Sequence, residues 1–190
     1  MDSITYTTPG GIGIRRDALT AHYADGVSPL ISALDSRRGV MLASSFEYPG
    51  RYTRWDIGFV DPPLEITAKD RSMCIRALND RGSALLGFVT PLIRDMSVIE
   101  NLAETDDALD FRVADPERTF TEEERSRQPS VFTVLRAIVG CFQSERDGHL
   151  GLYGAFGYDL TFQFEPVDRK LTRDAAQRDL VLFVPDEILI

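Results

Sequence analysis

The sequence predicts an α+β domain with a mainly antiparallel sheet and helices packed on it. Short apolar or alternating segments, which are typical of strands, outnumber segments with helical periodicity. Several neighbouring strand segments are joined by short turns, which suffice for antiparallel pairs, whereas parallel pairs need a long crossover. With 190 residues, 43% of them hydrophobic and 27% charged, the chain is long enough to bury a core without a disulfide or a structural metal.

The N-terminal region is expected to begin with turns and to continue as a helix. The segment T-T-P-G-G-I-G lies within the first dozen residues and is rich in turn formers. Residues 17–34 place apolar side chains near helical spacing, with Gly26 and Pro29 as possible kinks. The apolar positions are Leu19, Tyr23, Val27, Leu30, Ile31 and Leu34.

Four strand segments and a helix are expected next. Residues 40–43 form a short unbroken apolar run, which is typical of a strand buried on both faces. Pro49 and Gly50 predict a turn, after which residues 52–60 predict a strand with Trp55, Ile57 and Phe59 on one face. Residues 64–68 and 73–78 predict a hairpin, residues 79–82 a turn, and residues 84–93 a short helix.

The second half contains the clearest helix of the sequence. Residues 103–129 are polar and acidic, with an alternating edge strand at 109–113 and a helix start where Glu124 follows Thr121 at capping-box spacing. Ser130 is a suitable N-cap for a helix whose apolar stripe runs from Val131 to Phe142. A strand leading into a glycine-rich turn is expected at 149–160, and a buried strand at 179–184. The chain stops inside a further apolar run, so we expect it to be truncated.

Composition argues against several classes of function. A net charge of −9 disfavours binding to nucleic acids and to anionic membranes, since both need clustered Lys and Arg. The N-terminal segment MDSITYTTPGGIGIRR lacks the apolar core that a signal peptide needs, and the sequence contains no apolar run long enough to span a bilayer. Cys74 and Cys141 form no C-x-x-C pair, which fits a reducing cytoplasmic location. No phosphate-binding loop or G-x-S-x-G element is present, and few soft metal ligands are available, so no cofactor or metal is expected in this chain.

Residues 44–56, S-S-F-E-Y-P-G-R-Y-T-R-W-D, hold the only Trp of the chain, together with Tyr, Arg and Ser side chains around a Pro-Gly turn. Aromatic walls and a few polar groups are what an amino-acid or aromatic-acid pocket requires, because an Arg or hydroxyl binds a carboxylate. A plain hairpin with Trp55 and Phe59 facing the core explains the same residues, and both interpretations stay open on this pattern alone.

The same segment, followed by V-D-P-P-L, resembles the N-terminal part of the large (synthase) component of anthranilate synthase. The likeness is strongest to the rhizobial form, in which synthase and glutaminase are fused. It extends to F-T-E-E-E-R-S-R-Q-P-S-V-F-T-V-L-R at 120–136, L-G-L-Y-G-A-F-G-Y-D-L at 150–160 and Q-R-D-L-V-L-F-V-P-D-E-I-L at 177–189. The enzyme 4-amino-4-deoxychorismate synthase of folate synthesis is similar in two of these segments.

The resemblance implies that residues 1–190 are the N-terminal regulatory domain of an enzyme that converts chorismate and ammonia from glutamine to anthranilate and pyruvate. The catalytic chorismate-binding domain, its Mg²⁺ and the glutamine amidotransferase would lie outside this chain, which alone would be inactive. The implied ligand is L-tryptophan, a feedback inhibitor. By position before R-W-D, the residues implied to contact it are Ser45, its neighbour Ser44, Met41, and the segment Tyr52, Thr53, Arg54 and Trp55.

Two alternatives remain. One is the equivalent domain of an aminodeoxychorismate synthase, and the other is a stand-alone binding module without catalysis. The common form of the serine motif is L-L-E-S, whereas this chain has L-A-S-S at 42–45. The resemblance therefore leaves two candidates, Ser44 and Ser45, for the serine that contacts the ligand.

Overall fold

The computed structural model describes residues 2–44, 48–51, 56–116, 120–121, 123–124, 127–165, 167–168 and 170–190. It confirms the α+β class and the mainly antiparallel pairing. The strands are β1 (Asp2–Thr7), β2 (Gly13–Ala18), β3 (Gly39–Ala43), β4 (Asp56–Val60), β5 (Leu64–Lys69), β6 (Ser72–Ala77), β7 (Ile99–Glu104), β8 (Ala108–Val113), β9 (Tyr153–Phe156) and β10 (Leu180–Val184). The helices are α1 (Tyr23–Leu34), α2 (Asp80–Arg94) and α3 (Val131–Phe142), with a 3₁₀ helix at Tyr158–Gln163.

A six-stranded sheet in the order β7-β8-β6-β5-β10-β9 organises the domain. Each neighbouring pair in it is antiparallel. Two further pairs, β1-β2 and β3-β4, form separate two-stranded sheets. The β5-β6 hairpin predicted from the sequence lies at the centre of the large sheet, where its alternating residues can be buried on one face.

Helices α2 and α3 cover one face of this sheet and form the main core with it. The stripe on α3 lies against the sheet as its 3.6-residue periodicity predicts, because Val131, Val134 and Ile138 are all buried. Helix α2 contributes Leu86, Val89 and Ile93 to the same cluster. Backbone N–H of Val131, at the start of α3, donates to Oε1 of Gln163 at 3.1 Å.

The β3-β4 hairpin covers part of the opposite face. Phe59 of β4 meets Phe183 of β10 and Tyr153 of β9 edge-on, with ring centroids 5.9 and 6.0 Å apart. The chain also returns to this hairpin near its end, where Gly58 and Leu189 exchange two backbone hydrogen bonds. The sheet therefore carries two apolar layers, and the hairpin belongs to the smaller one.

A cluster of ion pairs around Arg173 connects the segment that precedes β10 with the turn between β5 and β6. Asp179 is 2% exposed and is paired with Arg173. Arg173 also lies 3.2 Å from Asp70 and 3.3 Å from Asp159. Backbone N–H of Asp70 donates to Asp179 at 2.6 Å. The buried carboxylate thus has both a charge partner and a donor, as burial requires.

The predicted helix at 17–34 is wrong in its first third. Residues 13–18 form β2, which pairs with β1 around a turn at Thr8–Gly11. The structure buries Tyr6 in this hairpin. The alternation of Ile4 and Tyr6 and the Pro-Gly-Gly turn indicated such a hairpin, but the prediction treated them only as a turn-rich start. Helix α1 itself begins at Tyr23 and, despite Pro29, ends at Leu34 as predicted.

Several other predictions about single strands and helices are also wrong. Strand β3 is half-buried or exposed along its length rather than buried on both faces. Strand β8 is not an edge, because β7, which the prediction missed, pairs with its outer side. Helix α2 begins at Asp80, inside the expected turn at 79–82. The described residues near Thr121 and Glu124 form a turn rather than a helix start. Residues 52–55 of the strand expected at 52–60 lie outside the described residues.

Candidate ligand site on the β3-β4 hairpin

The hairpin brings the two ends of the 44–56 segment together. Strand β3 pairs antiparallel with β4, with Met41 opposite Gly58 and Ala43 opposite Asp56. Ser44 follows Ala43 in the chain, and Trp55 precedes Asp56. The serine motif and the Tyr-Thr-Arg-Trp segment therefore leave the hairpin at the same end.

Helix α1 packs on one face of this hairpin, and glycine at position 58 makes the close approach possible. A Cβ on Gly58 would lie 2.2 Å from Cδ2 of Leu30 and 2.9 Å from Sδ of Met41. Both distances are shorter than any carbon or sulfur contact allows. Leu30 is the buried residue of α1, and Met41 is half-buried beside it. Met41 thus faces the helix and reaches into the narrow space between α1 and the hairpin.

The described part of the loop is a tight turn. Backbone N–H of Arg51 donates to the carbonyl of Tyr48 at 2.9 Å, and Gly50 has φ +78°. Pro at the second and Gly at the third position of a four-residue turn are typical of type II. The predicted Pro49-Gly50 turn is confirmed. The Arg51 guanidinium lies 5.9 Å from the Tyr48 ring centroid, within reach of a cation–π interaction.

The structure describes two of the seven predicted contact residues. Met41 is half-buried on the helix face of β3, and Ser44 is half-buried just beyond the end of that strand. Ser45 and the segment Tyr52, Thr53, Arg54 and Trp55 lie outside the described residues, so their roles stay predictions.

Residues that the sequence reasoning missed hold the hairpin in place. The hydroxyl of Tyr23, the first residue of α1, donates to Oδ2 of Asp56 at 3.1 Å. At the other end of the helix, a Cβ on Gly39 would lie 2.8 Å from Cδ2 of Leu34. The two glycines at strand positions were the available signal, because glycine inside a strand often marks a close approach of another element.

Charges at the base of the hairpin are paired. Arg37 donates two hydrogen bonds to the Asp61 carboxylate, one of them from Nε at 2.8 Å. These hydrogen bonds lower the pKa of the Asp61 carboxyl. Nη1 of Arg38 lies 3.4 Å from the buried Glu65 on β5. These pairs join the hairpin end opposite the loop to the helix and to the large sheet.

A shallow groove of about 720 Å³ lies beside this base and the start of α2. Its lining residues are Arg38, Asp61, Leu78, Asn79, Asp80 and Arg81. Both arginines already face carboxylates, since Arg81 pairs with Asp186 at 3.0 Å and Arg38 with Glu65. The two arginines of the groove are therefore already paired and add no free positive charge for an anionic ligand.

The resemblance implies that Mg²⁺ binds in a catalytic domain outside this chain, not among the described residues. Across those residues, no three His, Cys, Asp or Glu side chains come together as a metal site would require. A hard cation such as Mg²⁺ needs carboxylate oxygens arranged around it. Nor do the described helices include one with the length and apolar character that a membrane crossing needs.

The amino-acid sequence is similar to those of several known proteins. The chain is 43% identical over 189 residues to an anthranilate synthase from Azospirillum brasilense, an alignment that covers 100% of this chain and 26% of that protein. It is 28% identical over 149 residues to a pyocyanine-specific anthranilate synthase component 1 from Pseudomonas aeruginosa, and 27% identical over 158 residues to anthranilate synthase component 1 from Vibrio parahaemolyticus. These alignments cover 78% and 82% of the chain and 27% and 28% of those proteins. No protein-family model matches the chain.

These matches show that the chain is similar over its whole length to one part of an anthranilate synthase. It is similar over most of its length to parts of two anthranilate synthase component 1 proteins. It spans about a quarter of the length of the relatives it matches.

Proposed function

We propose that this chain is the regulatory domain of an anthranilate synthase, residues 1–190, and that its β3-β4 hairpin supplies one wall of an L-tryptophan feedback site. The observation that supports the proposal is the strand register, because Ala43, which precedes the two serines in the chain, pairs with Asp56, which follows the Tyr-Thr-Arg-Trp segment. Met41 at the helix face adds a soft apolar group suited to an indole ring.

The activity belongs to the proposal as well. The whole enzyme converts chorismate and ammonia from glutamine to anthranilate and pyruvate, with Mg²⁺ bound in a catalytic domain outside these residues. The anthranilate synthase names of the relatives described above favour this reaction over that of an aminodeoxychorismate synthase. These names also favour an anthranilate synthase over a stand-alone binding module without catalysis. We expect the 190 residues alone to form no anthranilate.

A fused glutamine amidotransferase is the second proposed partner. The 189 aligned residues make up 26% of the Azospirillum relative, which is therefore roughly 730 residues long. The Pseudomonas component 1, with 149 aligned residues at 27%, is roughly 550 residues long. The difference is the size of one ordinary domain, as a fused amidotransferase would require. A cytoplasmic location fits the free thiols of Cys74 and Cys141.

L-Tryptophan inhibits the enzyme if it binds most tightly to the conformation that has low affinity for chorismate. A ligand shifts a conformational equilibrium only through different affinities for the two states. A site between the hairpin and the catalytic domain meets this condition, because movement of either part changes the contacts with the ligand.

Substitution of Ser45, the serine that the resemblance implies as the ligand contact, tests the site. In the gene product at its native length, we expect Ser45→Phe to raise the L-tryptophan inhibition constant about 5–150-fold, the range of ordinary allosteric coupling, with little change in turnover. Anthranilate fluorescence measures both quantities, and Ser44→Phe tests the other candidate serine in the same way.

Three results would contradict parts of the proposal. A larger effect of Ser44→Phe moves the contact to Ser44. Absence of tryptophan inhibition in the unsubstituted enzyme removes the regulatory role. Conversion of chorismate to 4-amino-4-deoxychorismate identifies the folate enzyme instead.

A further inference from the structure

We propose that β9, at one edge of the six-stranded sheet, pairs with a β-strand from a part of the longer polypeptide outside residues 1–190. The inference rests on the proposed function only in taking the gene product to be longer than this chain. Strand β9 pairs antiparallel with β10 and is the last strand in the sheet order. Among the described strands, none pairs with its other side. About half of its backbone N–H and C=O groups are therefore available to a further strand.

The two edge strands of this sheet differ in the features that prevent pairing with another chain. Strand β7 carries Glu100 and Glu104, and its register with β8 shifts between Glu100 and Ala103. Within this shift, Asn101 has φ +53°. Charges and bulges of this kind commonly protect an exposed edge. Strand β9 has no charged residue and a regular register with β10, so its short length is the one such feature it has.

Apolar side chains border β9 on both faces of the sheet. On the helix face, Phe156 stacks on Phe132 with ring centroids 5.9 Å apart, and Phe132 stacks on Phe164 at the same distance. At the end of this row, Phe156 is still 56% exposed. On the opposite face, Tyr153 meets Phe59 edge-on. A strand added beside β9 would extend both apolar layers and cover the Phe156 ring.

These surroundings define the chemistry of the added strand. A strand with apolar neighbours on both faces is itself a nearly continuous apolar run, typically rich in Val, Ile and Leu. Residues 150–158 include no charged side chain, so this edge does not select a charged partner. Backbone hydrogen bonds would supply the affinity, and the exposed ring of Phe156 an apolar contact, as in other cases of strand addition.

Length and charge favour the same polypeptide over a second copy as the source of this strand. The relatives described above are about four times as long as the aligned part, so most of each has no counterpart in residues 1–190. Two copies would each bring a net charge of −9, and like net charges oppose association. A ladder of four residues is also small against the roughly 1,000 Å² of a specific interface. A covalently linked strand needs less area, because its effective concentration is high.

Hydrogen exchange at single backbone amides tests the pairing in the gene product at its native length. In an antiparallel edge strand, about half of the N–H groups point away from the sheet and exchange quickly. We expect this of β7. The outward amides of β9 should exchange at least about tenfold more slowly than those of β7, because the added strand protects them. Equally fast exchange of the outward amides in both strands would show that β9 is unpaired and that the inference is wrong.

Two alanines at opposite ends of one row across the sheet provide matched variants. Ala155 of β9 and Ala103 of β7 are both exposed. The strand pairings connect them on one face through Val181, Thr67, Cys74 and Asp110. At native length, we expect Ala155→Lys to speed exchange of the outward β9 amides at least about tenfold, because a lysine on an edge strand opposes strand addition. The matched control, Ala103→Lys, should leave exchange in both strands unchanged.

The same two variants in the 190-residue chain separate loss of the added strand from damage to the domain. This chain buries a core of its own beneath α2 and α3. Because both alanines are exposed in it, Ala155→Lys should change its melting temperature no more than Ala103→Lys does. A fall in melting temperature with Ala155→Lys alone would show that position 155 acts through packing within the domain, contrary to the inference.

Two further outcomes identify another occupant or separate the two proposals. If the slow exchange of β9 disappears on dilution, together with a dimer detected by light scattering, a second copy covers the edge and the inference is wrong. Absence of inhibition by L-tryptophan removes the proposed regulatory function, whereas exchange at β9 still decides whether the strand is paired.

Discussion

At the scale of single residues, the two cysteines show which side-chain properties could be predicted from the sequence and which depend on the fold. The absence of a C-x-x-C pair correctly indicated free thiols, and Cys141 is buried in the main core. Cys74 instead lies half-buried on the outer face of β6, opposite Asp110 of β8. Its neighbours come from strand register, which the prediction did not establish beyond the β5-β6 hairpin.

The setting of Cys74 predicts low reactivity. Burial first, and then the Asp110 carboxylate, raise the pKa of this thiol to about 11, so about one molecule in a thousand carries the reactive thiolate at pH 8. Burial also raises the pKa of Cys141. We expect a disulfide reagent to label the native chain at least about tenfold more slowly than the chain in urea. Fast labelling of one thiol in the native state, assigned with Cys74→Ser, would contradict this.

At the scale of elements, agreement is best where periodicity and burial coincide. Helix α3 and the β5-β6 hairpin each bury one regular face in the same core, so their residue patterns alone predicted them. Helix α1 buries only Leu30 of its described residues, because it packs on a two-stranded hairpin rather than on the large sheet. Its apolar spacing was therefore weak evidence, and the prediction extended it into β2.

The start of α2 gives a test at this scale. Oδ1 of Asn79 accepts from backbone N–H of Gly82 at 3.1 Å and caps the helix, where the sequence predicted only a turn. We expect Asn79→Ala to lower the free energy of unfolding by about 1 kcal/mol, measured by urea denaturation. Asn79→Ser keeps an acceptor and should retain most of this stability. An equal loss in both variants would show that the amide acts through another contact, such as its 3.4 Å approach to the Asp61 carbonyl.

At the scale of the whole molecule, the sequence predicted the fold class but not which strands and helices form each layer. Strand order in the six-stranded sheet joins segments as distant as β5 and β10, and no local pattern specifies such pairing. The candidate site shows the same division. Its residues came from a family likeness, whereas the contacts of Tyr23, Leu30 and Gly58 depend on a helix and a strand that meet only in the fold.

The two apolar layers lead to a prediction about how the molecule unfolds. Phe59 is 2% exposed and touches Phe183, yet neither belongs to the core beneath α2 and α3. We expect Phe59→Ala to cost about 3–5 kcal/mol, as for other buried phenylalanines, and to loosen the hairpin unit before the large sheet unfolds.

Two spectroscopic signals separate these events. Trp55 fluorescence follows the hairpin, and far-ultraviolet circular dichroism follows the whole chain. Their urea transitions should coincide in the unsubstituted chain, as in two-state unfolding. In Phe59→Ala the Trp55 transition should fall at lower urea than the dichroism transition. Phe156→Ala, at a ring that is 56% exposed, should leave them coincident. Coincident transitions in Phe59→Ala would mean that contacts such as Arg38 with Glu65 and Gly58 with Leu189 suffice to make both layers one cooperative unit.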